Sequence, residues 1–187
     1  MRATITLLQY EHGIIRQVTD VLGEMVKQGT LAKHQRQVTK AASFMDSYVT
    51  RLHHQVEERF LFKTAMAMSM ELAKGARELM DDHARVNGLI SRFKQLSARK
   101  EAFSDGTLAF VTKELVESMK QHIRREEDSY YPKVEEALSM EVDADLVMAI
   151  DEFTKSKFDT DFLQASEELA IKLQDEVLGA GYYTGIL

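Results

Sequence analysis

The sequence predicts an all-α protein, an antiparallel up-down four-helix bundle with extra C-terminal helices. Three observations predict it. Long stretches carry apolar residues at steps of three, four and seven, the period of one helical face. Breakers are scarce, with one Pro and nine Gly in 187 residues. Strand-type alternation is absent, and the segments between periodic stretches are short, which favours antiparallel neighbours.

The first stretch runs from about Thr4 to Gln28 through Leu8, Ile15, Val18, Leu22 and Val26, and Gly29 closes it. The second, about Lys33 to Phe62, sets Val38, Ala41, Met45, Val49, Leu52, Val56 and Phe60 on one stripe. The third covers about Met70 to Ala98, through Leu72, Leu79, Val86, Ile90 and Phe93. Met66, Met68 and Met70 fall in the connection before it, where packing is expected and a flexible cover is the alternative. The fourth begins near Ser104, where Ser104, Asp105 and Gly106 supply cap and turn chemistry. It continues through Leu108, Val111, Leu115, Met119 and Ile123 to a break at Pro132, with a short helix resuming at Lys133–Leu138.

Residues 1–138 are thus expected to form the bundle, and 139–187 a helical extension. The extension reads as helices at about Asp143–Lys155 and Thr160–Leu178, the second presenting Phe162, Ala165, Leu169 and Leu173 on one face. It is expected to pack on the bundle or on a partner subunit as a homodimer contact. The glycine-containing tail after Leu178 reads as irregular.

Composition narrows the chemistry. The chain has no Cys, which excludes a disulfide scaffold, thiolate-held zinc or iron–sulfur clusters, and thiol catalysis. Any transition-metal site must use imidazole and carboxylate, which suit iron, manganese or zinc. A net charge of −6 argues against a nucleic-acid surface, and Arg124-Arg125 is followed at once by Glu126, Glu127 and Asp128. The apolar opening, Ile5 to Leu8, ends too soon for a signal sequence, and no run reaches the ~18–20 residues of a membrane span. A soluble cytoplasmic protein is the expectation.

An internal repeat carries the functional signal. His53-His54-Gln55-Val56-Glu57-Glu58 aligns with His122-Ile123-Arg124-Arg125-Glu126-Glu127, 69 residues on. Glu11-His12 likewise answers Asp82-His83, 71 residues on. Two helical hairpins of one design follow, each with a lone His and a His-x-x-x-Glu pair. Residues i and i+4 share a helix face, so His53 with Glu57, and His122 with Glu126, can aim at one point. A single such pair is common on charged helices and means little.

The doubled pair means more. Counted from the helix ends at ~1.5 Å per residue, the His residues of all four helices reach the same level within a few ångström. They stand within or beside the apolar stripes, so they should face the interior, where unpartnered polar groups cost several kcal/mol. His12, His53, Glu57, His83, His122 and Glu126 are therefore expected to hold two metal ions. Six side chains cannot saturate two octahedral ions, so Glu57 and Glu126 are expected to bridge, with water, oxide or hydroxide beside them. Oxygen, peroxide or nitric oxide could bind at an open position on an iron pair. The set is richer in His than the Glu-x-x-His sites of ferritin-like bundles, which favours a sensor, carrier or redox role over mineralisation.

These residues resemble the hemerythrin-like, or HHE cation-binding, family across roughly residues 5–135. The matching elements are His12, His53-x-x-x-Glu57-Glu58, Leu61-Phe62, His83 and His122-x-x-x-Glu126-Glu127. The resemblance implies a four-helix bundle around a non-haem di-iron centre. It implies binding or sensing of oxygen, nitric oxide or peroxide, or a part in iron handling; a peroxide- or nitric-oxide-reducing enzyme and a metal-stabilised regulatory bundle are the alternatives. Oxygen-carrying hemerythrins place a second His four residues after the third-helix His, where this chain has Asn87. They pair the last His with an Asp five residues on, a position held here by Glu127. The chain is thus more similar to the four-His, two-Glu branch. That branch includes iron–sulfur repair proteins with a cysteine-containing domain, and this sequence contains no Cys.

Other residues receive plainer expectations. His54, about 100° round the helix from His53, should face a neighbour or solvent, and is a further candidate to touch the metal or support a ligand. His34 is expected to be exposed near a helix start. Glu58 and Glu127 read as surface or supporting groups, Glu11 and Asp82 as a solvated face, and Tyr130 and Tyr131 as packing at the bundle end.

Overall fold

The four amphipathic stretches appear as four long helices, and two more follow. In the computed structural model, which describes residues 2–180 and 182, α1 spans Ala3–Lys27 and α2 spans 35–68 after a short 3₁₀ turn at Leu31–His34. Helix α3 is Met70–Ser97, α4 spans 107–137, α5 is Met140–Lys157 and α6 is Phe162–Leu178. Among the described residues there is no strand. The tail beyond Leu178 lies mostly outside the described residues; Gly179, at φ 95°, ends α6.

Packing follows the stripes. Helix α1 lies against α2 and α4, and α3 lies against the same two from the other side. Leu8, Ile15, Val18 and Leu22 of α1 meet Val49, Leu52 and Val56 of α2, Val86 and Ile90 of α3, and Leu115 and Met119 of α4 in one continuous buried core. Phe44, Phe62 and Phe93 are fully buried within it. The turn after α1 uses Gly29 at φ 65°, a left-handed conformation that costs Gly little.

Three details depart from expectation. Helix α2 does not stop at Phe62 but continues to Met68, and Ser69 alone separates it from α3. Ser69 caps α3, its hydroxyl accepting from the Leu72 amide at 3.1 Å. Met66 and Met68 are therefore helical and pack against the core, and only Met70 stands out in solvent. Second, α4 does not break at Pro132. The Tyr131 amide reaches back to the Glu126 carbonyl across a wide π-type turn. Pro132 enters at the following position, where the helix restarts and its missing N–H removes no continuing bond. Third, α6 turns Ser166, Ala170 and Leu173 inward and leaves Ala165 exposed.

The C-terminal helices cover the α1/α2 side of the molecule, both contacting those two helices. Asp143 in the first turn of α5 ties this cover to the start of α1. Its carboxylate accepts from the amides of Ala3 at 2.8 Å and Thr4 at 3.0 Å, and Glu135 of α4 accepts from the Arg2 amide at 2.8 Å. Helix α1 has no side-chain cap of its own. Residues more than 130 positions away supply it.

Candidate metal centre

Every candidate from the repeat converges on one point inside the four long helices. His12 comes from α1, His53 and Glu57 from α2, His83 from α3, and His122 and Glu126 from α4. All six are at most 1% exposed. His34 lies far along the sequence from them at the start of α2, half-buried.

The two carboxylates sit at the middle. Glu57 Oε2 is 3.2 Å from His83 Nε2 and 3.4 Å from His53 Nε2. Glu126 Oε2 is 3.2 Å from His12 Nε2 and 3.3 Å from His122 Nε2. Each Glu therefore faces its own-helix His and the lone His of a neighbouring helix. The donor atoms of His12, His53, Glu57 and Glu126 all lie within 4.8 Å of one another, and so do those of Glu57, His83, His122 and Glu126. The two sets share both carboxylates. A third set of the same compactness joins His54 to His83 and His122.

Backbone geometry explains how α2 presents two adjacent imidazoles. Residues Met45–His53 and Glu57–Phe62 are π-helical, and the His54 amide bonds back five residues to the Val49 carbonyl. A wider turn brings consecutive side chains closer in direction than the ~100° of an α-helix. His54 is accordingly fully buried beside His53, instead of turning away from the interior. Glu126 also opens a π-helical turn, Glu126–Tyr130. Widened turns thus occur at both His-x-x-x-Glu pairs.

The outer nitrogens of four of the five rings are held by polar partners; His122 Nδ1 is buried with none among the described residues. His12 Nδ1 donates to Glu127 at 2.9 Å, His53 Nδ1 to Glu11 at 2.7 Å, and His83 Nδ1 to Glu58 at 2.8 Å. His54 Nδ1 donates to the Asn87 side-chain oxygen at 2.8 Å. Each bond keeps a proton on Nδ1, so that Nε2 is the nitrogen whose lone pair becomes available to a metal once the ring is neutral. Glu11 is thereby a buried ring-orienting group, not part of a solvated face. Asp82 takes the other course, pairing with Arg125 and Arg85. Tyr131 does more than pack. Its hydroxyl donates to Glu57 Oε1 in a close contact, and its ring stacks parallel to His12 with centroids 5.7 Å apart.

The inner atoms have no such partners. His12, His53, His54, His83 and His122 Nε2, Glu57 Oε2 and both Glu126 oxygens are buried without a hydrogen bond among the described residues. Buried polar atoms left so are rare and costly, and most of those among the described residues belong to this one cluster; Gln17 Oε1 and His122 Nδ1 are the others. Oxygen and nitrogen donors without sulfur suit a transition-metal ion such as iron, manganese or zinc, and the clustered residues fit such a metal.

Electrostatics agree. Burial pushes the His12 ring down, but Glu126 and Glu127 outweigh it and raise it to about 9. His83 is raised well above the ordinary range against the same burial by Glu126, Glu57 and Glu58. Burial, with His83 and His122 adding to it, holds His54 well below. Burial would raise the Glu57 carboxyl, yet His53, His83 and His12 hold it well down. Without metal, protons on His12 and His83 balance the two central carboxylates. Cations would do the same.

The family model described as the hemerythrin HHE cation binding domain matches residues 3–134. The chain belongs to this family. The match covers α1 to α3 and nearly all of α4, the helices that carry the cluster, and leaves α5 and α6 outside it. No curated protein and no solved structure matches the chain. This HHE-domain chain is therefore a helical metal-binding protein by family and by its clustered donors. No described helix is long and apolar enough to cross a membrane.

The sequence alone undervalued four residues. Glu58 and Glu127 were legible as the second acid of each repeat, and Glu11 as the acid preceding a lone His. Asn87 stood out only as the place where oxygen-carrying hemerythrins have a His; its bond to His54, 33 residues away on another helix, gave no signal.

Proposed function

We propose that this chain holds a non-haem pair of iron ions through His12, His53, Glu57, His83, His122 and Glu126, and uses it to bind or sense a small oxidant or to handle iron. The observation that supports this best is the convergence of unpartnered, fully buried Nε2 and carboxylate oxygen atoms from four helices. The shared position of Glu57 and Glu126 in both four-residue sets favours their bridging the two ions. Bound there, iron would supply reversible electron transfer and affinity for oxygen, nitric oxide or peroxide.

The chain's own residues do the rest. Glu11, Glu58 and Glu127 hold three rings in the ligand tautomer, and Tyr131 donates to Glu57 and orients that carboxylate. Burial keeps the Tyr131 phenol protonated, with Glu126 and Glu57 adding to the effect. The wall of Ile15, Val56, Val86 and Ile123 excludes bulk water. We assign residues 1–138 as the antiparallel four-helix metal-binding unit and 139–187 as a C-terminal extension whose helices α5 and α6 cover α1 and α2.

Metal analysis of the chain produced with iron available tests the proposal. Two iron ions per chain are expected, lost in His53→Ala. Less than one iron per chain, unchanged by that substitution, would overturn it. Mixing the reduced, loaded protein with oxygen then separates a reversible binder from an enzyme that turns over.

A further inference from the structure

His54 lies outside the doubled repeat, since its counterpart 69 residues on is Ile123. Yet it is as deeply buried as the six repeat residues, at 0% exposure, and its Nε2 has no partner. His54 belongs to a compact set in which one donor atom each from His54, His83 and His122 lie within 4.8 Å of one another. Its ring stacks face to face on His83, with centroids 3.8 Å apart and planes 13° apart, and meets His122 edge-on at 5.5 Å, so the three imidazoles form one cluster.

The other edge of the ring is anchored as an orienting bond requires. Asn87 Oδ1 accepts from His54 Nδ1 at 2.8 Å and from the Thr50 hydroxyl at 2.9 Å. The same Asn87 oxygen thus faces both the hydroxyl and the ring. A carbonyl oxygen can only accept, so the proton sits on Nδ1 and the lone pair on Nε2 points inward. A ring serving only as filler would leave this buried lone pair unmatched.

We infer that His54 is a further metal ligand, completing a three-imidazole set with His83 and His122 at one ion, and that Asn87 positions it. This rests on the di-metal assignment above. It makes the pair unequal: one ion takes His54, His83 and His122, the other His12 and His53, with Glu57 and Glu126 between them. The asymmetry comes from α2 alone, whose π-helical turn delivers two adjacent imidazoles where α4 delivers one.

Cobalt(II) loading of the full-length chain tests this, with X-ray absorption and chelator competition as readouts. In the wild type, the mean imidazole count per ion should exceed that of a four-imidazole pair. His54→Phe keeps the stacked ring but removes the donor. It should weaken one of the two binding steps by about tenfold or more, leave the other unchanged and lower the imidazole count. Asn87→Ala should weaken the same step less, and Asn87→Asp, which keeps an acceptor, should restore it. Wild-type spectra with no more than two imidazoles per ion would overturn the inference, even if His54→Phe failed to fold. So would unchanged binding by a folded His54→Phe. If the wild type binds no cobalt, the di-metal assignment itself fails.

Discussion

Glu58 accepts a hydrogen bond from His83 Nδ1 at 2.8 Å, while the adjacent Glu57 faces Nε2 of the same ring at 3.2 Å. Two consecutive acids of α2 therefore grip opposite edges of one imidazole from α3. Across the molecule Glu126 and Glu127 of α4 do the same to His12 of α1, at 3.2 and 2.9 Å. The repeated Glu-Glu doublet is a device for holding the lone His of a neighbouring helix.

Glu58→Gln and Glu127→Gln should therefore lower metal affinity about 10- to 100-fold without unfolding the chain. A Gln can still accept from Nδ1–H through its oxygen, but it loses the charge that makes the ring a better donor to metal. Competition against a graded set of chelators reads the loss. Equal affinities in wild type and both variants would show that these acids only decorate the surface.

Metal uptake should release protons at neutral pH. In the metal-free protein His12 is raised to about 9 and His83 lies well above the ordinary range, so both rings carry protons that metal must displace. For a raised imidazole, the stabilisation is full below the unfolded value of ~6.5 and is lost as pH climbs through the folded value. The metal-free chain should thus lose stability between about pH 6.5 and 9, and proton release should fade over the same window. An indicator dye in weakly buffered solution measures the release; none at about pH 7 would contradict the protonated cluster.

Removing metal should lower the melting temperature and keep the helices. A ligand at a thousand times its Kd contributes about 4 kcal/mol, which for a chain of this size corresponds to roughly 8–16 °C. The apolar core formed by Val18, Leu22, Leu52, Val86 and Leu115 does not depend on the ion and should hold the fold. Far-ultraviolet dichroism before and after chelation checks both parts.

Asp143→Ala should cost about 1–2 kcal/mol, as loss of a helix cap does, although Asp143 belongs to a different helix from the one it caps. Burial raises this carboxyl, but the Thr4 and Ala3 amides and the Arg2 charge hold it below its ordinary value. A lowered acid contributes stability above its unfolded value and loses it as pH falls through the folded one. The wild-type advantage over Asp143→Asn should therefore be full at neutral pH and vanish in acid below about pH 4. Denaturant melts at several pH values give the comparison.

Gly75→Ala should destabilise the chain by about 1 kcal/mol or more, against the helix-propensity gain of about 1 kcal/mol that Ala brings. A Cβ at Gly75 would come within 2.9 Å of two ring carbons of Tyr130, which is buried and donates to the Leu72 carbonyl at 3.3 Å. A stabilised Gly75→Ala would mean that the Tyr130 ring moves at little cost.

The sequence by itself determined the helices and the six residues that converge between them, because both are written in periods. Residues such as Leu8, Ile15, Val18 and Leu22 recur at helical steps and are all buried. The i, i+4 pairs His53–Glu57 and His122–Glu126 needed only the pitch of a helix and the 69-residue repeat to be found. What surrounds the donors was decided in three dimensions. Hydrogen bonding five residues back widened α2 at the site and turned His54 inward, a choice that local propensity does not encode. Glu11 met His53, Asn87 met His54 and Asp143 met the start of α1 across 42, 33 and up to 140 residues of chain. Such pairings depend on how helices are laid side by side, and helix periodicity carries no record of that.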